Sequence, residues 1–437
     1  MNKETEQSFF RSIQDRFRLF EKKGFSFYPE VQPSFASKIQ NCIKPKTEKI
    51  KEKTGYVYSD VIEAQVVIPL FGKSEMLLEC IKSIENSIGV KSKVVLVDNG
   101  CETDVLENAE QFSSVQHVII NEKNNGYGQG CHQGIEHFSS GNIILLNSDA
   151  VLQPQSLREL LNALDSNEHI AVACSIPINT DDTIQEYGRV MQNDGHSLAI
   201  DEDQSVDTLK QNIVESVPYA SFVCAAIKSN YYTKIGGFDK EFSPAYSEDI
   251  DLCLRFWNEN KATVIVSNSI VAHVAGDSSS QLSDIEKIKK QNREYLVKKH
   301  SKVLTQLIDA VDTNDYPHEI NLLKKPFFRK TILLITDGNI AISELEKATG
   351  IKSEFWPLNS IFLSAKSQPK NSVELISKGI SINEWKNNIV THHFLRNRIG
   401  YFDKVLIGVT PHDDLNLQMA FYTQPFAEFE MLQNYEN

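Results

Sequence analysis

Apolar runs and amphipathic segments alternate regularly from Gln65 to about residue 180. The apolar runs are short and bounded by polar or glycine-containing turns, which is typical of buried strands. The segments between them carry apolar residues at helical spacing. The predicted strands cover residues 65–71, 93–100, 115–121, 142–150 and 170–179. This order predicts an α/β fold with a parallel, doubly wound sheet and a site at the carboxyl ends of its strands.

The pattern changes beyond residue 180. An acidic insert at 201–207 precedes a further predicted strand at 217–229, and a glycine-rich turn at 235–244 leads to an acidic helix. A second, smaller α/β pattern begins near residue 326. We predict four segments: a basic helical segment and linker over 1–60, the main α/β domain over 64–280, a helical connector over 281–325, and a small α/β domain of unknown role over 326–437.

Composition narrows the class of protein. The chain has 437 residues, enough for two to four domains. Its net charge of −13 argues against a general nucleic-acid binder. No apolar run reaches the roughly 18 residues that span a bilayer, and the first residues lack the apolar core of a signal peptide. Seven scattered cysteines without a CxxC pair make a zinc knuckle or a disulfide framework unlikely, so we expect a cytoplasmic protein.

The N-terminal segment differs from the rest in charge. Residues 1–53 contain twelve Lys and Arg against seven Asp and Glu, together with Phe9, Phe10, Phe17 and Phe20. One interpretation is a peripheral contact with the anionic inner face of a membrane. The other is an amphipathic helix that packs on its own domain or on a second subunit of a homo-oligomer.

Three carboxylates and a histidine stand out between residues 247 and 277. Glu248, Asp249 and Asp251 begin an amphipathic helix, and His273 follows a short apolar strand. Paired carboxylates repel unless a metal or a proton relieves them, and both metal chemistry and base catalysis use such groups. Taken singly, Asp249 also fits a helix-capping acid, and His273 a satisfied core or rim histidine.

The ends of the earlier predicted strands carry polar groups suited to a nucleotide. Asn147 and Asp149 lie one residue apart and point to the same side, and Asp149 is a hard oxygen ligand for Mg²⁺ or Mn²⁺. Alone, they also fit a polar turn. Asp98 could accept a hydrogen bond from a base. Gly126, in NNGYGQG, allows close approach of backbone to a ligand, although a glycine-rich turn capping a helix is equally simple.

The motifs VVIPLFG, VVLVDNG, NNGYGQG, ILLNSDA, IGGFDKEF, SEDIDLCLR and IVAHVAG follow one another in this order. Over about residues 64–280 the chain resembles glycosyltransferase family 2, whose members are inverting nucleotide-sugar enzymes with the GT-A, Rossmann-like fold. It is most similar to the bacterial rhamnosyltransferase and galactofuranosyltransferase branch.

The resemblance implies a role for each matching position. Pro69 and Leu70 match residues that line the nucleobase pocket. Asp98 matches an acid that contacts the base or ribose. Gly126 matches the glycine of the donor loop. Asp149 matches the metal-binding aspartate, for Mn²⁺ or Mg²⁺.

Further matches complete the implied site. His273 matches an added metal ligand and Asp249 the catalytic base, while Gly237, Glu248 and Asp251 fall on the acceptor side. One departure is Asn147, which replaces the first acid of the family's DxD motif. Its neutral carbonyl removes one charge, so it either weakens metal binding or contacts the ribose instead.

The implied function is inverting transfer of a sugar, rhamnose among the candidates, from a dTDP- or UDP-sugar to a hydroxyl of a bacterial surface glycan. The acceptor would be a lipid-linked O-antigen (lipopolysaccharide), capsule or cell-wall polysaccharide. We expect residues 64–280 to hold the whole catalytic site. The alternatives are a nucleotidyltransferase, for which the loop PLFGKSE is too poor in glycine and cations, and a non-catalytic sugar-binding or scaffold module.

Overall fold

The computed structural model describes most of the chain from Tyr58 to Leu304 and parts of 331–432. The gaps in the first stretch are 73, 75, 102, 139–140, 210–211, 260 and 275–283. In the second stretch the described residues are 331–336, 340–356, 361–365, 369–378, 380–384, 402–408, 420 and 427–432. The predicted N-terminal segment therefore lies almost entirely outside the described residues, as does most of the connector. The described residues fall into two compact units, which divide near residue 310.

Eleven strands are described in the first unit. They are Ile62–Gly72 (β1), Val90–Cys101 (β2), Val115–Ile120 (β3), Asn142–Leu146 (β4), Ala150–Leu152 (β5), Ile170–Ile178 (β6), Arg189–Met191 (β7), Ser197–Ala199 (β8), Val214–Val217 (β9), Cys224–Lys228 (β10) and Ala262–His273 (β11). The α-helices described there are Leu77–Glu85 (α1), Thr103–Ala109 (α2), Tyr127–His137 (α3), Ser156–Ser166 (α4), Ser229–Lys234 (α5), Glu248–Asn258 (α6), Ile285–Lys299 (α7) and Ser301–Leu304 (α8).

Nine of these strands form one mixed sheet. Its order is β3-β2-β1-β4-β10-β6-β11-β5, and β9 pairs with β11. The pairs β1–β2, β1–β4, β2–β3 and β6–β11 are parallel, as the alternating pattern predicts. β10 is antiparallel to both β4 and β6, so the sheet is not purely parallel. After β6 the chain forms β7 and β8 outside this sheet, adds β9 beside β11, and then runs through β10 in the opposite direction.

The core lies between the helices and the central strands. All nine residues of β6 are buried, which explains why its sequence is a continuous apolar run rather than an alternating one. The apolar face of α4, formed by Leu157, Leu160, Leu161 and Leu164, is also buried. α3 approaches β1 closely, since a Cβ on Gly134 would lie 2.3 Å from a methyl of Val67. This close packing places the N-terminus of α3 beside the end of β1.

Several predicted elements differ from the observed ones in ways that matter for the site. The predicted strand at 142–150 is interrupted at Asn147–Asp149 and becomes β4 and β5. The predicted strand at 217–229 is shorter in the structure, since β9 ends at Val217 and β10 covers only Cys224–Lys228. β11 is twelve residues long and contains His273 as its last residue, instead of ending before it.

The second unit contains a parallel sheet of five strands in the order β14-β13-β12-β15-β16. The strands are Ile332–Thr336 (β12), Ile361–Ala365 (β13), Ser381–Glu384 (β14), Lys404–Gly408 (β15) and Glu428–Met431 (β16). The helices described with them are Ile342–Thr349 (α9) and Ser372–Ser377 (α10). Its core contains Trp356, whose indole N–H donates to the carbonyl of Ile351 at 3.1 Å. Over the described residues of both units, no helix combines the length and apolarity needed to cross a bilayer.

Candidate active site

A cavity of about 650 Å³ opens at the carboxyl ends of β1 and β4. One part of its wall comes from Pro69, Leu70 and Phe71 at the end of β1. Asn147, Ser148 and Asp149 line it from the break between β4 and β5, and Glu248 and Asp249 line it from the first turn of α6. A cavity of this volume, with apolar walls and a few converging polar groups, is suited to a small-molecule ligand.

The two predicted nucleobase residues, Pro69 and Leu70, both lie in this wall, and Asn99 lies beside them. Asn99 is a site residue that the sequence did not single out. Its Nδ2 donates to the carbonyl of Gly126 at 3.2 Å, and its Oδ1 accepts from Asn121 at 2.9 Å. Asn99 therefore connects the C-terminal end of β2 to the start of α3. Its position directly after Asp98 was the only signal in the sequence.

Asp98 has a local role in the structure. Its Oδ1 accepts hydrogen bonds from the backbone amides of Gly100 and Cys101, both at 2.7 Å. The carboxylate thus stabilises the C-terminal end of β2, and Asp98 is not among the residues that line the cavity. A direct contact between Asp98 and a nucleotide remains a prediction.

Gly126 holds a loop of the site in place by its lack of a side chain. It adopts φ +87°, and a Cβ there would lie 2.5 Å from the carbonyl oxygen of Pro244. The next residue, Tyr127, donates its backbone N–H to the same oxygen at 2.8 Å. Residues Asn124 and Tyr127 on either side line the cavity. Gly126, the predicted donor-loop glycine, therefore packs directly against the loop that precedes Asp249.

Asp149 and His273 are 124 residues apart in sequence but meet in the cavity. β11 runs antiparallel to β5 with His273 opposite Ala150, and the amide of Val274 donates to the carbonyl of Asp149 at 3.1 Å. His273 Nε2 lies 3.3 Å from Asp149 Oδ1 and 3.4 Å from Asn147 Nδ2. The two predicted metal ligands, together with Asn147, are therefore brought together by the pairing of β5 with β11.

The donor set fits a divalent cation. His273 Nδ1 lies 2.8 Å from Gln185 Oε1, so the ring donates through Nδ1 and directs the lone pair of Nε2 at the Asp149 carboxylate. Two lone-pair atoms at 3.3 Å repel unless a proton or a cation lies between them. In the described part of the chain, no three His, Cys, Asp or Glu side chains form a metal-binding group. Here the third group is the Asn147 amide, whose oxygen would face the cation after rotation of the amide.

Asp249 has the properties of a base. Its Oδ1 accepts from the amide of Ile250 at 2.8 Å. Burial raises the pKa of Asp249 to about 6, the nearby Glu186 raises it as well, and Arg189 opposes both. A carboxylate with this pKa is ionised at neutral pH and is a stronger base than an ordinary aspartate.

Glu248 differs from its neighbour in protonation. It is buried, and burial together with the adjacent Asp249 raises its pKa well above the ordinary value. Within the described residues its Oε2 has no hydrogen-bond partner. The two adjacent acids can thus divide their roles, with the proton on Glu248 and the charge on Asp249.

Glu186 and Arg189 form a second charged pair beside Asp249. Glu186 accepts from Ser221 through both its backbone amide at 2.7 Å and its hydroxyl at 2.8 Å, and from Arg189 at 3.1 Å. Arg189 also lines the cavity. Both residues lie in the segment between β6 and β9, where the strand–helix alternation stops, and no sequence motif marked them.

Asp251 and Gly237 lie outside the cavity. Asp251 is fully buried and binds Arg255 at 2.8 Å, Lys299 at 2.6 Å and His300 at 2.8 Å. It follows Asp249 by two residues, about 200° around the helix, so it faces away from the cavity. Gly237 packs against Tyr232, with φ +68°. Neither residue lines the cavity, and their assignment to the acceptor side stays a prediction.

α7 extends the site beyond residue 280. Lys289 and Arg293 line the cavity, although they lie beyond residues 64–280, and the extent of the catalytic site stays a prediction. Between them, the Asn292 Nδ2 donates to the carbonyls of Phe242, Ala245 and Tyr246 at 2.8–3.0 Å. α7 therefore supports the loop that leads into α6.

Residues 65–236 match the family described as glycosyl transferase family 2. This part of the chain is therefore similar to a glycosyltransferase family 2 domain, and the mixed sheet has the GT-A-like fold. The match ends before α6, so Asp249 and His273 lie beyond it and their assignment depends on the geometry of the cavity.

Two similar proteins give the context. The inactive polypeptide N-acetylgalactosaminyltransferase-like protein 5 of Macaca fascicularis is 24% identical over 283 residues, which cover 62% of this chain and 60% of that protein. A crystal structure of GalNAc-T7 with UDP, GalNAc and Mn²⁺ has 15% identity and a TM-score of 0.44, covering 61% of this chain and 57% of the other. The chain thus spans about three fifths of each. These relatives do not place it in the bacterial rhamnosyltransferase branch.

Proposed function

We propose that the protein is an inverting glycosyltransferase that uses a UDP- or dTDP-sugar and a divalent cation. The observation that carries the proposal is the cavity itself, in which Asp249 and the Asp149–His273 pair face the same space as Pro69 and Leu70. The family 2 domain supports a nucleotide-sugar donor.

Different residues of the cavity would bind different parts of the donor. Pro69 and Leu70 would pack on the base, and Asn99 would hold the turns around it. Asp149, His273 and the oxygen of Asn147 would hold the cation, which supplies positive charge to the diphosphate leaving group when bound. Lys289 and Arg293 add fixed positive charge to the same cavity.

Asp249 would carry the chemistry at the acceptor. It takes the proton of the acceptor hydroxyl as that oxygen attacks the anomeric carbon, and a single displacement inverts this centre. The neighbouring Glu248 keeps its proton and can donate a hydrogen bond to a sugar hydroxyl. Because Glu248 is neutral, it leaves Asp249 as the charged member of the pair.

The donor sugar and acceptor are finer parts of the proposal. The sequence resemblance supports dTDP-rhamnose and a lipid-linked bacterial glycan at the inner membrane face. The name of the similar N-acetylgalactosaminyltransferase-like protein supports N-acetylgalactosamine as the transferred sugar instead. The proposal therefore commits to a pyrimidine nucleotide, and the donor panel identifies the sugar.

A second candidate is a nucleotide-sugar-binding protein without transferase activity. Two observations favour it: one similar protein is described as inactive, and Asn147 leaves the metal set with a single carboxylate. The two candidates differ in turnover and agree in donor binding.

A panel of nucleotides and nucleotide sugars tests the proposal. Calorimetry with UDP, dTDP, GDP and CMP, with and without Mn²⁺, should show metal-dependent binding of UDP or dTDP. Donor hydrolysis or transfer should then be lost in Asp249→Asn. Tight binding of GDP alone would contradict the pyrimidine assignment, while binding without any turnover over a broad donor panel would favour the second candidate.

A further inference from the structure

The ring of His273 is held by a side chain that no motif marked. Gln185 Nε2 donates to Asn179 Oδ1 at 2.9 Å and to the backbone carbonyl of His273 at 2.8 Å. A carbonyl can only accept, so the amide nitrogen of Gln185 must face it. Gln185 Oε1 is then the atom 2.8 Å from His273 Nδ1, and that nitrogen must carry the hydrogen.

The hydrogen bonds continue in one direction away from the cavity. Asn179 Nδ2 donates to Thr183 Oγ1 at 2.9 Å, and the Thr183 hydroxyl donates to Asp181 Oδ1 at 2.7 Å. The hydrogen bonds from Thr183 hold the pKa of Asp181 below its ordinary value, so this carboxylate is ionised and only accepts. Every donor in the series therefore points toward Asp181, and neither amide can reverse without breaking a bond.

The backbone keeps this series beside His273. The amide of Asn179 donates to the carbonyl of Thr183 at 2.8 Å, and the amide of Gln185 donates to the carbonyl of Pro177 at 2.9 Å. Pro177 belongs to β6, the parallel neighbour of β11. The register between these two strands thus sets the distance between Gln185 and the imidazole.

We propose that Asp181, Thr183, Asn179 and Gln185 form a relay that fixes the tautomer of His273 and aims the bare Nε2 at the cation site. Gln185 is the positioning residue that contacts the ring. The inference rests on the proposed metal site. A carboxylate or carbonyl on the far nitrogen of a metal-binding histidine orients the ring and makes it a better ligand. In this chain the Gln185 amide orients the ring, and the only carboxylate of the relay is Asp181 at its far end.

The tautomer can be measured without metal or nucleotide. In protein labelled with ¹⁵N-histidine, with the His273 signals assigned by their loss in His273→Ala, Nδ1 should carry a hydrogen. Gln185→Met keeps the length of the side chain but removes both the oxygen and the nitrogen of the amide, and it should abolish this preference. A wild-type His273 without a hydrogen on Nδ1 would overturn the proposal, even if the protein is an active transferase.

Metal binding gives the second readout. Calorimetry with Mn²⁺ alone should show about 10–100-fold weaker binding for Gln185→Met. Gln185→Glu keeps an acceptor for Nδ1 and should retain most of the affinity, and Asp181→Asn should cause a smaller loss in the same direction. The matched control is Gln116→Met, an exposed position on β3. Circular dichroism and thermal unfolding confirm that each variant is folded.

Three outcomes contradict the relay. A folded Gln185→Met that binds Mn²⁺ like wild type removes the positioning role. Equal losses in Gln185→Glu and Gln185→Met would mean that Gln185 supports the loop and does not act through Nδ1. An unchanged Asp181→Asn would exclude the far end of the relay.

Discussion

Asp249→Asn should make the protein more stable and less active. In the folded protein burial is the main cause that raises the pKa of Asp249 from 3.8 to about 6. The folded state therefore holds this proton more tightly than the unfolded chain. The stability that this group contributes is full below pH 3.8 and is lost as the pH rises to about 6. The difference corresponds to about 3 kcal/mol at neutral pH, an upper limit because the side chain is only partly shielded from solvent.

The asparagine side chain carries no charge, so the variant does not lose stability through ionisation as the pH rises. We expect the variant to gain up to about 3 kcal/mol in free energy of unfolding at pH 7 to 8, with the gain shrinking toward pH 4. Its rate of sugar transfer should fall about 10²–10⁴-fold, because the amide cannot take the acceptor proton. Donor affinity should stay nearly unchanged, since Asp149 and His273 are intact.

Urea unfolding at four pH values between 4 and 8 measures the stability difference, and initial rates measure transfer. The matched control is Asp239→Asn. Burial acts to raise the pKa of Asp239, but hydrogen bonds from Lys299 and from the amide of Glu241 outweigh it and lower the pKa. Asp239→Asn should therefore lower the free energy of unfolding at neutral pH, and this loss should become smaller as the pH falls.

Two results would refute the reasoning. If Asp249→Asn is no more stable than wild type at pH 7, the cavity does not disfavour the charge. If the variant transfers sugar at near the wild-type rate while Glu248→Gln is inactive, the base is Glu248.

Three further expectations follow from the geometry of the site. Asp149→Ala and His273→Ala should both weaken Mn²⁺-dependent donor binding in calorimetry, whereas Asn147→Asp should preserve or strengthen it by restoring a charge; unchanged metal dependence in both alanine variants would place the cation elsewhere. Asp251→Asn should lower the free energy of unfolding by up to about 3 kcal/mol, because the buried carboxylate is the shared partner of Arg255, Lys299 and His300; a loss of activity at unchanged stability would instead support an acceptor-side role. Gly126→Ala should reduce both stability and donor affinity, because a methyl group there clashes with backbone; wild-type values for both would show that the loop can move away.

Much of the fold was readable from the sequence because burial leaves a periodic trace. β1 to β4 and β6 are apolar runs separated by helices, and their parallel order follows from that alternation. The polar break at Asn147–Asp149 marked the edge of the sheet. The carboxyl ends of parallel strands share one edge, so the chemistry at that edge was predictable before the contacts were known.

The antiparallel insertion of β10 was not predictable in the same way. Its sequence is an apolar run like the others, and periodicity carries no information on strand direction. Only the path of the chain through β7 to β9 reverses it. The sequence also marked no site residues between β6 and β9, because this segment lacks both the strand–helix alternation and a recognisable motif. Gln185, Glu186 and Arg189 nevertheless lie there.

The sequence by itself determined which residue types stand at strand and helix ends, and hence that acids and a histidine were available for metal and base chemistry. Only the tertiary structure decided which of them meet. Asp98 and Asp251 look as functional in the sequence as Asp149 and Asp249. In the structure the Asp98 carboxylate binds backbone amides at the end of β2, and the Asp251 carboxylate binds Arg255, Lys299 and His300. The physical reason is that the environment of a side chain is set by partners distant in the chain. The pairing of β11 with β5 and β6 brings Asp149 and Gln185 to His273, and no local pattern records that register.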